Sequence, residues 1–596
     1  MCGIVAVAGA VVEEARLAAS LRALAHRGPD GTGRWTSPDR AVALGHTRLA
    51  VVDPAGGAQP IANEDGSIIA VVNGEIYDDG SLARDLVRRG HALRSRCDAE
   101  LVVHLYEELG DDFVRAVRGE LAFVVWDARR RRLLAGRDRF GVKPLVWSAL
   151  GEGIALASEA KALFALGVRA RWDAESFFHA AHTQYPWPDR TLFEGVHQLE
   201  PGHVLVWDGA PRTRRYWDLY QHRRDGSLRE ALDEAVQLRL RADANVCVQL
   251  SGGLDSTSVA ALTRVPAFTV AFVDGGAYDE RALACRTADE LGVPLHVVEV
   301  DAAAIATHWP EAIAHGEGLA INGHLVGKYL LSRAMRDRGF KVALTGEGAD
   351  EVLAGYPHLR QDAGIVPRGH AASRGLMLPS GEALSTAGVR ERLGFVPTWL
   401  AAKAGLGAHV RRLLAPDLVH AFADVDPYGG LVDRLGVARL REPLHASAAS
   451  WMRTALASYI LRTLGDGMEM RHGIEGRVPF LDHHVAETAL AMAPAELAGT
   501  DLDKPVLRRA VADLVPAHVL ARPKHPFLAP PLSRIAPALV QETLRAHARA
   551  SALVDGVALV ALLDRLPGLP ADEQQQWDPA LMLLLSAAIL EARYGG

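Results

Sequence analysis

The second residue of the chain is a cysteine that can act as a nucleophile. Cys2 follows the initiator Met1, and a small residue in this position favours removal of the initiator. The cysteine would then carry a free α-amine, whose ordinary pKa of about 7.7–8.0 suits a general base for its own thiol. Taken alone, Cys2 is also consistent with a small buried residue at the start of a strand.

The motifs that follow Cys2 favour the catalytic interpretation. In chain order they are CGIVAVAG (2–9), HRGPDG (26–31), HTRLAVVD (46–53), NGEIYD (73–78), RCDAE (96–100), RDRFGVKPL (137–145) and ASEAKAL (157–163). With these motifs the first half of the chain resembles the class II glutamine amidotransferases. The resemblance implies an N-terminal-nucleophile fold, in which two antiparallel sheets pack between helix layers. It also implies that the cysteine attacks the side-chain amide of glutamine, forms a thioester and releases ammonia.

The resemblance assigns the glutamine-binding residues, and each has a chemical reason for its type. Arg48 would hold the glutamine α-carboxylate with a planar fork that lysine cannot reproduce. Glu75 and Asp98 would accept hydrogen bonds from the α-ammonium. The side-chain amide of Asn73 and the backbone N–H of Gly74 would form the oxyanion hole, where glycine permits close approach of the backbone.

A second motif, SGGLDS, has the composition of a phosphate-binding turn. Ser251 to Ser256 lie between an apolar strand and the start of a helix. Gly252 and Gly253 let backbone N–H groups face an anion, and the two serines supply hydroxyl donors. The motif lacks the lysine of the Walker pattern, which excludes a kinase-style loop. An ordinary strand-to-helix turn is the alternative interpretation.

TGEGADE (345–351) forms the second glycine-rich loop, directly after the predicted strand Lys341–Leu344. Open α/β sheets bind ligands at the carboxyl ends of their strands, where this loop begins. Asp255 and Asp350 can together hold a magnesium ion that bridges the phosphates of ATP.

The order of motifs along the whole chain resembles glutamine-hydrolysing asparagine synthetase. Further matching motifs are TLFEGVHQLEPG (191–202), RYWDL (215–219) and IEGRVPFLDH (474–483). The second half is thereby similar to the PP-loop ATP pyrophosphatases. The resemblance implies that ATP adenylates a carboxylate, pyrophosphate leaves, and ammonia delivered through an internal tunnel displaces AMP to give an amide. It also implies a homodimer.

The same resemblance names the residues of the synthetase site. Glu347 would act beside the acyl-adenylate and take a proton from the attacking ammonia. Lys504 would neutralise charge on the phosphoryl and acyl oxygens. Lys524 matches a family position without clear chemistry, and we expect a structural role for it. The implied ATP pocket consists of Leu250, Ser251, Gly252, Gly253, Leu254, Asp255, Ser256, Phe272, Thr345 and Gly346, with Asp255 and Asp350 as magnesium ligands.

The acceptor segment departs from asparagine synthetases proper. Between Gly316 and Ser332 the chain reads GEGLAINGHLVGKYLLS, and Gly323 stands where those enzymes place an arginine for the α-carboxylate of aspartate. A missing polar anchor changes substrate specificity strongly. The acceptor is therefore either aspartate or another carboxylate, such as a secondary-metabolite or peptide intermediate. A second departure lies at Gly467, Glu469 and Arg471.

Two other functions are compatible with parts of the sequence. A cyclase similar to β-lactam synthetases or lasso-peptide cyclases would use an internal amine and need no glutaminase residues, yet Cys2, Arg48, Asn73, Gly74 and Asp98 are all present. A non-catalytic ATP-binding regulatory protein has no need for a magnesium pair, a base and a cation in separate loops. A simple glutaminase leaves the second half of the chain unexplained.

Composition excludes several other classes. The 596 residues are 49% hydrophobic and 23% charged, with a formal net charge of −7, so a large core forms without disulfides. No long basic run indicates nucleic-acid binding, and no apolar run of about 18 residues indicates a membrane span. The start of the chain lacks the basic leader of a secretory signal. Four scattered cysteines fit the reducing cytoplasm.

Only seven of the 65 basic residues are lysines.

The resemblance implies an α+β N-terminal-nucleophile domain (1–220) followed by an α/β PP-loop domain (228–596), and the hydrophobic pattern of its C-terminal part is mostly helical. The hydrophilic stretch QHRRDGS (221–227) separates the two. Strands are predicted at 67–72, 121–126, 132–135 and 154–158. A parallel sheet is predicted from the alternation of strand 245–250, a helix from 258, strand 267–273, helix 280–291 and strand 295–300. Residues 360–447 show helical patches without a clear assignment.

Overall fold

The computed structural model describes residues 2–78, 80–273, 276–366 and 383–595. Met1 lies outside the described residues, so removal of the initiator stays a prediction. Residues 367–382, which belong to the segment without a clear sequence assignment, also lie outside them.

Two antiparallel sheets of six strands form the first part of the chain. Their strands are β1 Cys2–Ala8, β2 Gly31–Thr36, β3 Val42–Arg48, β4 Ile61–Ala62, β5 Ile68–Ile76, β6 Gly119–Asp127, β7 Arg132–Arg137, β8 Val146–Leu150, β9 Gly153–Ala157, β10 Val196–Gln198, β11 His203–Trp207 and β12 Pro211–Arg215. The first sheet has the order β10-β8-β9-β1-β3-β2, and the second has the order β12-β11-β7-β6-β5-β4.

The two sheets pack face to face over an apolar layer. Ile4 and Leu44 of the first sheet meet Val71 and Val124 of the second in one buried cluster. Helices cover the outer faces: α1 packs with α5 on the first sheet, and α3 packs on the second. The helices of this part are α1 Glu14–Ala23, α2 Ser81–Arg88, α3 Leu101–Leu109, α4 Phe113–Ala116, α5 Ala160–Leu166 and α6 Ala174–Thr183. The predicted sandwich of two sheets between helix layers is confirmed.

Strand register brings the predicted glutaminase residues together. Cys2 at the start of β1 lies opposite Arg48 at the end of the neighbouring β3. Asn73, Gly74 and Glu75 are consecutive residues of β5, which contacts β1 across the sandwich. Residues far apart in the sequence thus meet at one end of the sandwich.

A parallel sheet of five strands forms the centre of the second part. Its strands are β13 Asn245–Gln249, β14 Ala267–Phe272, β15 Leu295–Val300, β16 Phe340–Leu344 and β17 Glu475–Arg477, in the order β15-β14-β13-β16-β17. The helices that alternate with these strands are α7 Leu228–Arg239, α8 Leu254–Thr263, α9 Arg281–Leu291, α10 Ala302–Gly316 and α11 His324–Asp337. The predicted alternation and parallel pairing are confirmed.

The predicted start of the helix that follows SGGLDS is wrong, and the strand predicted at 67–72 extends to Ile76. The sequence pattern placed the helix start at Ser258, but α8 begins at Leu254, directly after the extended residue Gly253. Leu254 and Asp255 therefore belong to the first helical turn rather than to a loop. An acidic residue in the first turn interacts favourably with the positive end of the helix dipole, which stabilises this earlier start.

The C-terminal part is helical, as predicted. Its α-helices are α12 Ala349–Val352, α13 Pro357–Asp362, α14 Ala387–Leu393, α15 Thr398–Arg411, α16 Pro416–Ala421, α17 Pro427–Leu435, α18 Pro443–Trp451, α19 Gly467–Met470, α20 His483–Ala491, α21 Pro494–Ala498, α22 Pro505–Ala510, α23 Ala517–Leu520, α24 Leu532–Ile535, α25 Pro537–Ala550, α26 Gly556–Arg565 and α27 Ala571–Tyr594. Within the described ranges, no helix has the length and apolar character to cross a membrane. All four cysteines are free.

A π-helix of 15 residues, Met452–Asp466, connects α18 to α19. π-Helical segments are rare, usually a single turn long, and frequent at functional sites. This one carries Tyr459 and Leu464 into a cavity of the second part and ends at Asp466, which contacts the first part. It therefore runs between the two predicted sites.

Candidate active sites

Cys2 lies buried between the two sheets, and its neighbours match a thioester-forming site. Its backbone N–H donates to Asn73 Oδ1 at 2.8 Å. Asn73 Nδ2 is buried and has no hydrogen-bond partner in the described protein, so it remains a donor for an oxyanion. Burial raises the pKa of the Cys2 thiol, which makes a nearby base necessary for forming the thiolate.

Gly74 occupies a backbone position that only glycine tolerates. Its φ is +136°, and a Cβ built there would lie 2.0 Å from the carbonyl oxygen of Glu120 on β6. The absence of a side chain thus lets β5 and β6 pair closely beside Cys2.

Arg48 presents a positive charge without an acidic partner. Its guanidinium donates to three backbone carbonyls, at 2.8 Å to Pro54, 2.6 Å to Asp53 and 3.2 Å to Val52. No carboxylate of the described residues forms an ion pair with it. The carbonyls fix the orientation of the guanidinium group and leave its positive charge available for a substrate carboxylate.

Glu75 and Asp98 place two carboxylates close together near Cys2. Asp98 Oδ2 accepts the Ile76 N–H at 2.5 Å. Burial, followed by the negative charges of Asp98 and Glu475, raises the pKa of the Glu75 carboxyl well above its ordinary value. A substrate ammonium bound here would relieve that repulsion, which agrees with the predicted role of the pair.

The sequence interpretation gave no role to Arg27, which holds Cys2 in place. Arg27 is fully buried, and its Nε donates to the Cys2 carbonyl at 3.0 Å. Its other nitrogens bind Asp466 in a bidentate pair at 2.6 and 2.9 Å and Glu159 at 2.7 Å. The signal was present, because Arg27 lies in HRGPDG and Glu159 in ASEAKAL. The contact with Asp466 could be recognised only from the tertiary structure.

A cavity of about 280 Å³ lies at the carboxyl ends of the central strands of the parallel sheet. Gly252 and Phe272, which the sequence also placed in the ATP pocket, do not line it. Gly252 has φ +74° and shapes the loop, whereas the Phe272 ring stacks 5.9 Å from the lining residue Phe527. The other predicted nucleotide-binding residues line the cavity: Leu250, Ser251, Gly253, Leu254, Asp255, Ser256, Thr345 and Gly346.

The SGGLDS loop has the geometry of an anion-binding turn. The hydroxyl oxygens of Ser251 and Ser256 lie 3.0 Å apart, and no side chain caps the N-terminus of α8. Uncapped N–H groups and the helix dipole favour a phosphate at this position. Gly346 packs tightly against the loop, since a Cβ there would lie 2.8 Å from the Ser256 nitrogen.

Asp255 and Asp350 lie together in the cavity, bridged by a lysine. Lys504 Nζ is 2.6 Å from an oxygen of each carboxylate. Lys524, for which we expected a structural role, also lines the cavity and pairs with Asp350. Burial opposes ionisation of Asp350, but the two lysines outweigh it and lower the pKa of this carboxyl to about 2. Burial raises the pKa of the Asp255 carboxyl despite the neighbouring Lys504. Two carboxylates facing the phosphate-binding loop fit the oxygen-ligand chemistry of magnesium.

Glu347 is connected to a buried lysine that sequence reasoning left without a role. Lys328 Nζ lies 3.1 Å from Glu347 Oε1, 2.9 Å from Glu469 Oε1 and 2.6 Å from Gln249 Oε1. Thr345 Oγ1 donates to Glu347 Oε2 at 3.0 Å. Glu469, a departure from the family pattern, is thus the partner of a buried lysine, and the two charges neutralise each other.

The strand β17 separates the two sites and touches both. The Arg477 carbonyl accepts the Thr345 N–H at 3.0 Å, on the side of the cavity. Arg477 Nη2 lies 3.8 Å from Glu75 Oε1, on the side of Cys2. A movement of β17 would therefore shift contacts of both sites.

The cavity wall away from the SGGLDS loop (251–256) is aromatic. His324 Nε2 lies 2.9 Å from the Tyr459 hydroxyl, and its ring stacks 5.6 Å from Phe527. Tyr185 completes this wall. Gly323, which the sequence marked as a departure in the acceptor segment, is not among the residues that line this cavity, and a Cβ there would lie 3.3 Å from the Ala529 Cβ.

Within the part of the chain that the structure describes, each lysine and arginine lining the cavity already has a carboxylate partner. The pairs are Lys328 with Glu347 and Glu469, Lys504 with Asp255 and Asp350, Lys524 with Asp350, Arg508 with Asp503, and Arg522 with Glu280. No cation of this set is left over for the α-carboxylate of an amino acid.

Comparison with known proteins identifies the family of both halves of the chain. The asparagine synthase family model matches residues 227–592, and the glutamine amidotransferase domain model matches residues 1–217. The amidase chry2 of Gibberella zeae is 32% identical over 582 residues, which cover 87% of this chain and 85% of that protein. A putative glutamine-hydrolysing asparagine synthetase of Mycobacterium bovis is 30% identical over 647 residues, which cover 99% of this chain and 98% of that protein.

A solved structure with a partial match is the glutamine phosphoribosylpyrophosphate amidotransferase of B. subtilis in complex with ADP and GMP. It has a TM-score of 0.28 and 18% identity, and the match covers 50% of this chain and 65% of that one, just under two thirds. The match of the two family models along nearly the whole length is decisive. The chain belongs to the glutamine-hydrolysing asparagine synthetase family and is a glutamine-dependent amidotransferase-type ligase.

Proposed function

We propose that this enzyme uses glutamine and ATP to convert a carboxylic acid other than aspartate into its amide. Cys2 attacks the amide of glutamine, ammonia leaves, and water hydrolyses the thioester to glutamate. In the second site the acceptor carboxylate attacks the α-phosphate of ATP and pyrophosphate leaves. Ammonia then attacks the acyl carbon, AMP leaves, and Glu347 takes a proton from the attacking nitrogen.

The glutaminase half of the proposal follows from the groups around Cys2. Arg48 binds the α-carboxylate, and Glu75 with Asp98 binds the α-ammonium. Asn73 Nδ2, the buried donor without a partner, stabilises the tetrahedral oxyanion. The chemistry requires that a free α-amine on Cys2 accept the thiol proton, because burial raises the pKa of that thiol.

The synthetase half depends on exchange of ion-pair partners. Asp255 and Asp350 would hold magnesium, which neutralises charge on the triphosphate when it is bound. Lys504 and Lys524, now paired with these carboxylates, are then free to contact the phosphoryl oxygens. Lys328 keeps Glu347 oriented toward the cavity.

The acceptor is a carboxylate whose body is aromatic or otherwise uncharged. The observation that supports this choice is the pairing of every lysine and arginine of the described cavity lining. An aspartate α-carboxylate would be buried without a partner, at a cost of about 2–5 kcal/mol. The aromatic wall of Tyr185, Tyr459 and Phe527 favours an apolar body instead.

The relatives named amidases support this choice. Two of them, chry2 of Gibberella zeae and chyE of Penicillium rubens, are each 32% identical to this chain over more than four fifths of its length. A biosynthetic amidation reaction, such as that of a secondary-metabolite intermediate, is consistent with this similarity.

The proposal is tested by measuring pyrophosphate release with ATP, magnesium, glutamine and a panel of carboxylates. We expect release with aromatic or N-acylated acids and background release with aspartate. The Lys504→Met variant is the matched control, because it keeps the cavity shape and removes the ammonium. Robust formation of asparagine from aspartate would overturn the choice of acceptor.

The cyclase alternative is tested in the same assay with glutamine labelled with 15N at the side-chain amide. An amidotransferase transfers the label into the product, whereas a cyclase forms an unlabelled internal amide. The glutaminase residues are assembled around Cys2, and we therefore expect the label in the product.

A further inference from the structure

Two histidines and two glutamates converge in the first part of the chain, outside both active sites. His91 follows α2, His104 and Glu107 lie on α3, and Glu64 lies in the turn between β4 and β5. Each of the four offers a ligand atom within 4.8 Å of the others. The His104 side chain is 1% exposed and that of His91 is 9% exposed.

The two imidazole rings face each other through the same nitrogen. His91 Nδ1 lies 3.2 Å from His104 Nδ1. Glu64 brings its carboxylate to both rings, with Oε1 at 3.4 Å from His91 Nδ1 and Oε2 at 3.5 Å from His104 Nδ1. The Ala92 N–H donates to Glu64 Oε1 at 2.8 Å and fixes this carboxylate in place.

The outward nitrogen of His91 faces another carboxylate, because His91 Nε2 lies 3.1 Å from Glu108 Oε1. A carboxylate at Nε2 favours the proton on that nitrogen and leaves a lone pair on His91 Nδ1. His104 Nε2 is buried without a hydrogen-bond partner in the described protein, 3.7 Å from Glu100 Oε1. With the His104 proton on Nε2, both Nδ1 lone pairs and the Glu64 carboxylate face one point, which a bound cation would stabilise.

The spacing of these atoms is close to that of a tetrahedral zinc site. Zinc–nitrogen distances of 2.0–2.1 Å in a regular tetrahedron place neighbouring ligand atoms about 3.3–3.4 Å apart. Here the two Nδ1 atoms are 3.2 Å apart, the two Glu64 oxygens lie 3.4 and 3.5 Å from one Nδ1 each, and all four candidate ligand atoms lie within 4.8 Å of one another. Glu107 is the fourth candidate ligand, and Asn63 Nδ2 holds its Oε2 at 3.1 Å. Two neutral imidazoles and two carboxylates balance the charge of a divalent cation.

We propose that His91, His104, Glu64 and Glu107 bind a zinc ion that stabilises the glutamine-binding region. The ion would join the turn before β5, the segment after α2 and the helix α3. Helix α3 continues directly from the short helix Asp98–Glu100, which carries the glutamine-binding carboxylate of Asp98. All four coordination positions are taken by protein groups, which is typical of a structural rather than a catalytic zinc site.

The test uses the full-length protein without a polyhistidine tag. Metal content is measured by inductively coupled plasma mass spectrometry, first as purified and then after chelation and titration with zinc chloride. We expect one zinc per chain and a melting temperature several degrees higher with zinc than without. Cobalt(II) titrated into the metal-free protein should give the visible absorption bands of a tetrahedral site.

Variants separate a metal site from a coincidental cluster. His104→Asn should abolish stoichiometric binding, and Glu107→Gln, an exposed change that preserves folding, should weaken zinc binding at least tenfold. His197→Asn is the control, because His197 lies in the same part of the chain and stacks on Trp147 away from the cluster.

Two results would overturn the proposal. One is the absence of zinc and cobalt binding at micromolar metal, which would mean that the rings share a proton instead. The other is unchanged zinc content in both His104→Asn and Glu107→Gln, which would place any bound metal elsewhere.

Discussion

The two active sites of this enzyme differ in how their charges are satisfied. Among the described residues around Cys2, the Arg48 guanidinium has no acidic partner and Asn73 Nδ2 has no hydrogen-bond partner. In the synthetase cavity, each lysine and arginine of the described lining is paired with a carboxylate. In the first site the charged and hydrogen-bonding groups are unpaired before a substrate binds. In the second site carboxylates of the protein neutralise the charges of the lysines and arginines.

The substrates that we propose account for the difference. Glutamine carries one carboxylate and one ammonium, and a site with fixed, unpaired groups of the opposite character binds it with little rearrangement. A triphosphate with magnesium brings several charges of both signs. A buried site with unpaired lysines and aspartates would be costly before the nucleotide arrives, and internal ion pairs lower that cost until partners are exchanged. The comparison makes three predictions about single variants.

The largest effect is expected for Cys2→Ala. Without the nucleophile, glutamine-dependent product formation should fall by about 10³-fold or more, while formation from free ammonium is retained. The measurement compares amide formation with glutamine and with ammonium chloride at equal ATP. Cys285→Ser is the matched control, because this free thiol lies in α9. Glutamine-driven activity in Cys2→Ala would contradict the thioester mechanism.

Asp350→Asn should impair the synthetase site and spare the glutaminase site, which is the reverse of the effect of Cys2→Ala. The change removes a magnesium ligand and leaves Lys504 and Lys524 with one carboxylate fewer, so pyrophosphate release should fall by about 10²-fold or more. Glutamine hydrolysis at Cys2 should persist, because none of its residues is altered. Asp513→Asn, at an exposed ion pair with Arg229, is the control and should change neither activity. Normal pyrophosphate release in Asp350→Asn would exclude the proposed role of this carboxylate.

The smallest effect concerns Lys403, the buried lysine behind the cavity wall. It donates to Gln184 Oε1 at 2.6 Å and lies over the Tyr185 ring, without a carboxylate partner in the described residues. Burial lowers the pKa of Lys403 to about 7. Between pH 7 and the ordinary lysine pKa of about 10.4, the unfolded chain binds more protons than the folded chain. Stability should therefore rise with pH over this range, by at most about 1.4 kcal/mol per pH unit.

Lys403→Met tests this dependence. The variant should be more stable than the wild type at pH 7, by about 1–3 kcal/mol, because a buried charge is removed at nearly constant volume. The difference should shrink toward pH 10, as followed by urea unfolding at each pH. Lys341→Met, which removes a partly exposed lysine paired with Asp30, is the control. An equal pH dependence of stability in the wild type and Lys403→Met would contradict the assignment.

The contacts between the two sites explain why one chain carries both. Arg27 binds the Cys2 carbonyl and Asp466 of the π-helix, and Arg477 contacts both Glu75 and the backbone of Thr345. Each contact joins a residue of one site to an element of the other. Such direct connections provide a physical route by which occupancy of the cavity can affect glutamine hydrolysis.

Much of the fold could be predicted from the sequence, because the strands are marked by short apolar runs and the turns by glycine and aspartate. The strand Leu295–Val300 and the end of α9 at Leu291 agree with their predicted positions. The start of α8 was wrong by four residues, because the glycines of SGGLDS resemble a loop although the helix begins within the motif. The π-helix has no sequence signature that distinguishes it from an α-helix.

The candidate residues of both sites were named from local motifs, but the pairs between them were not. Lys328 and Glu469 are 141 positions apart and form one ion pair, and Lys524 lies beside Asp350 although its motif suggested only a structural role. The ligands of the proposed zinc site are equally scattered, since Glu64, His91 and His104 belong to different elements.

The sequence by itself determined the chemistry available to this protein: a thiol near the N-terminus, a phosphate-binding turn, two acids and a family of reactions. Those features are local, because a motif places its residues on one strand, turn or helix. Only the tertiary structure decided which charges neutralise each other, which hydrogen-bond donor remains unpaired and which side chains line the cavity where we expect the acceptor. These properties depend on distances between residues far apart in the chain, and burial makes each unpaired charge costly enough to select among them.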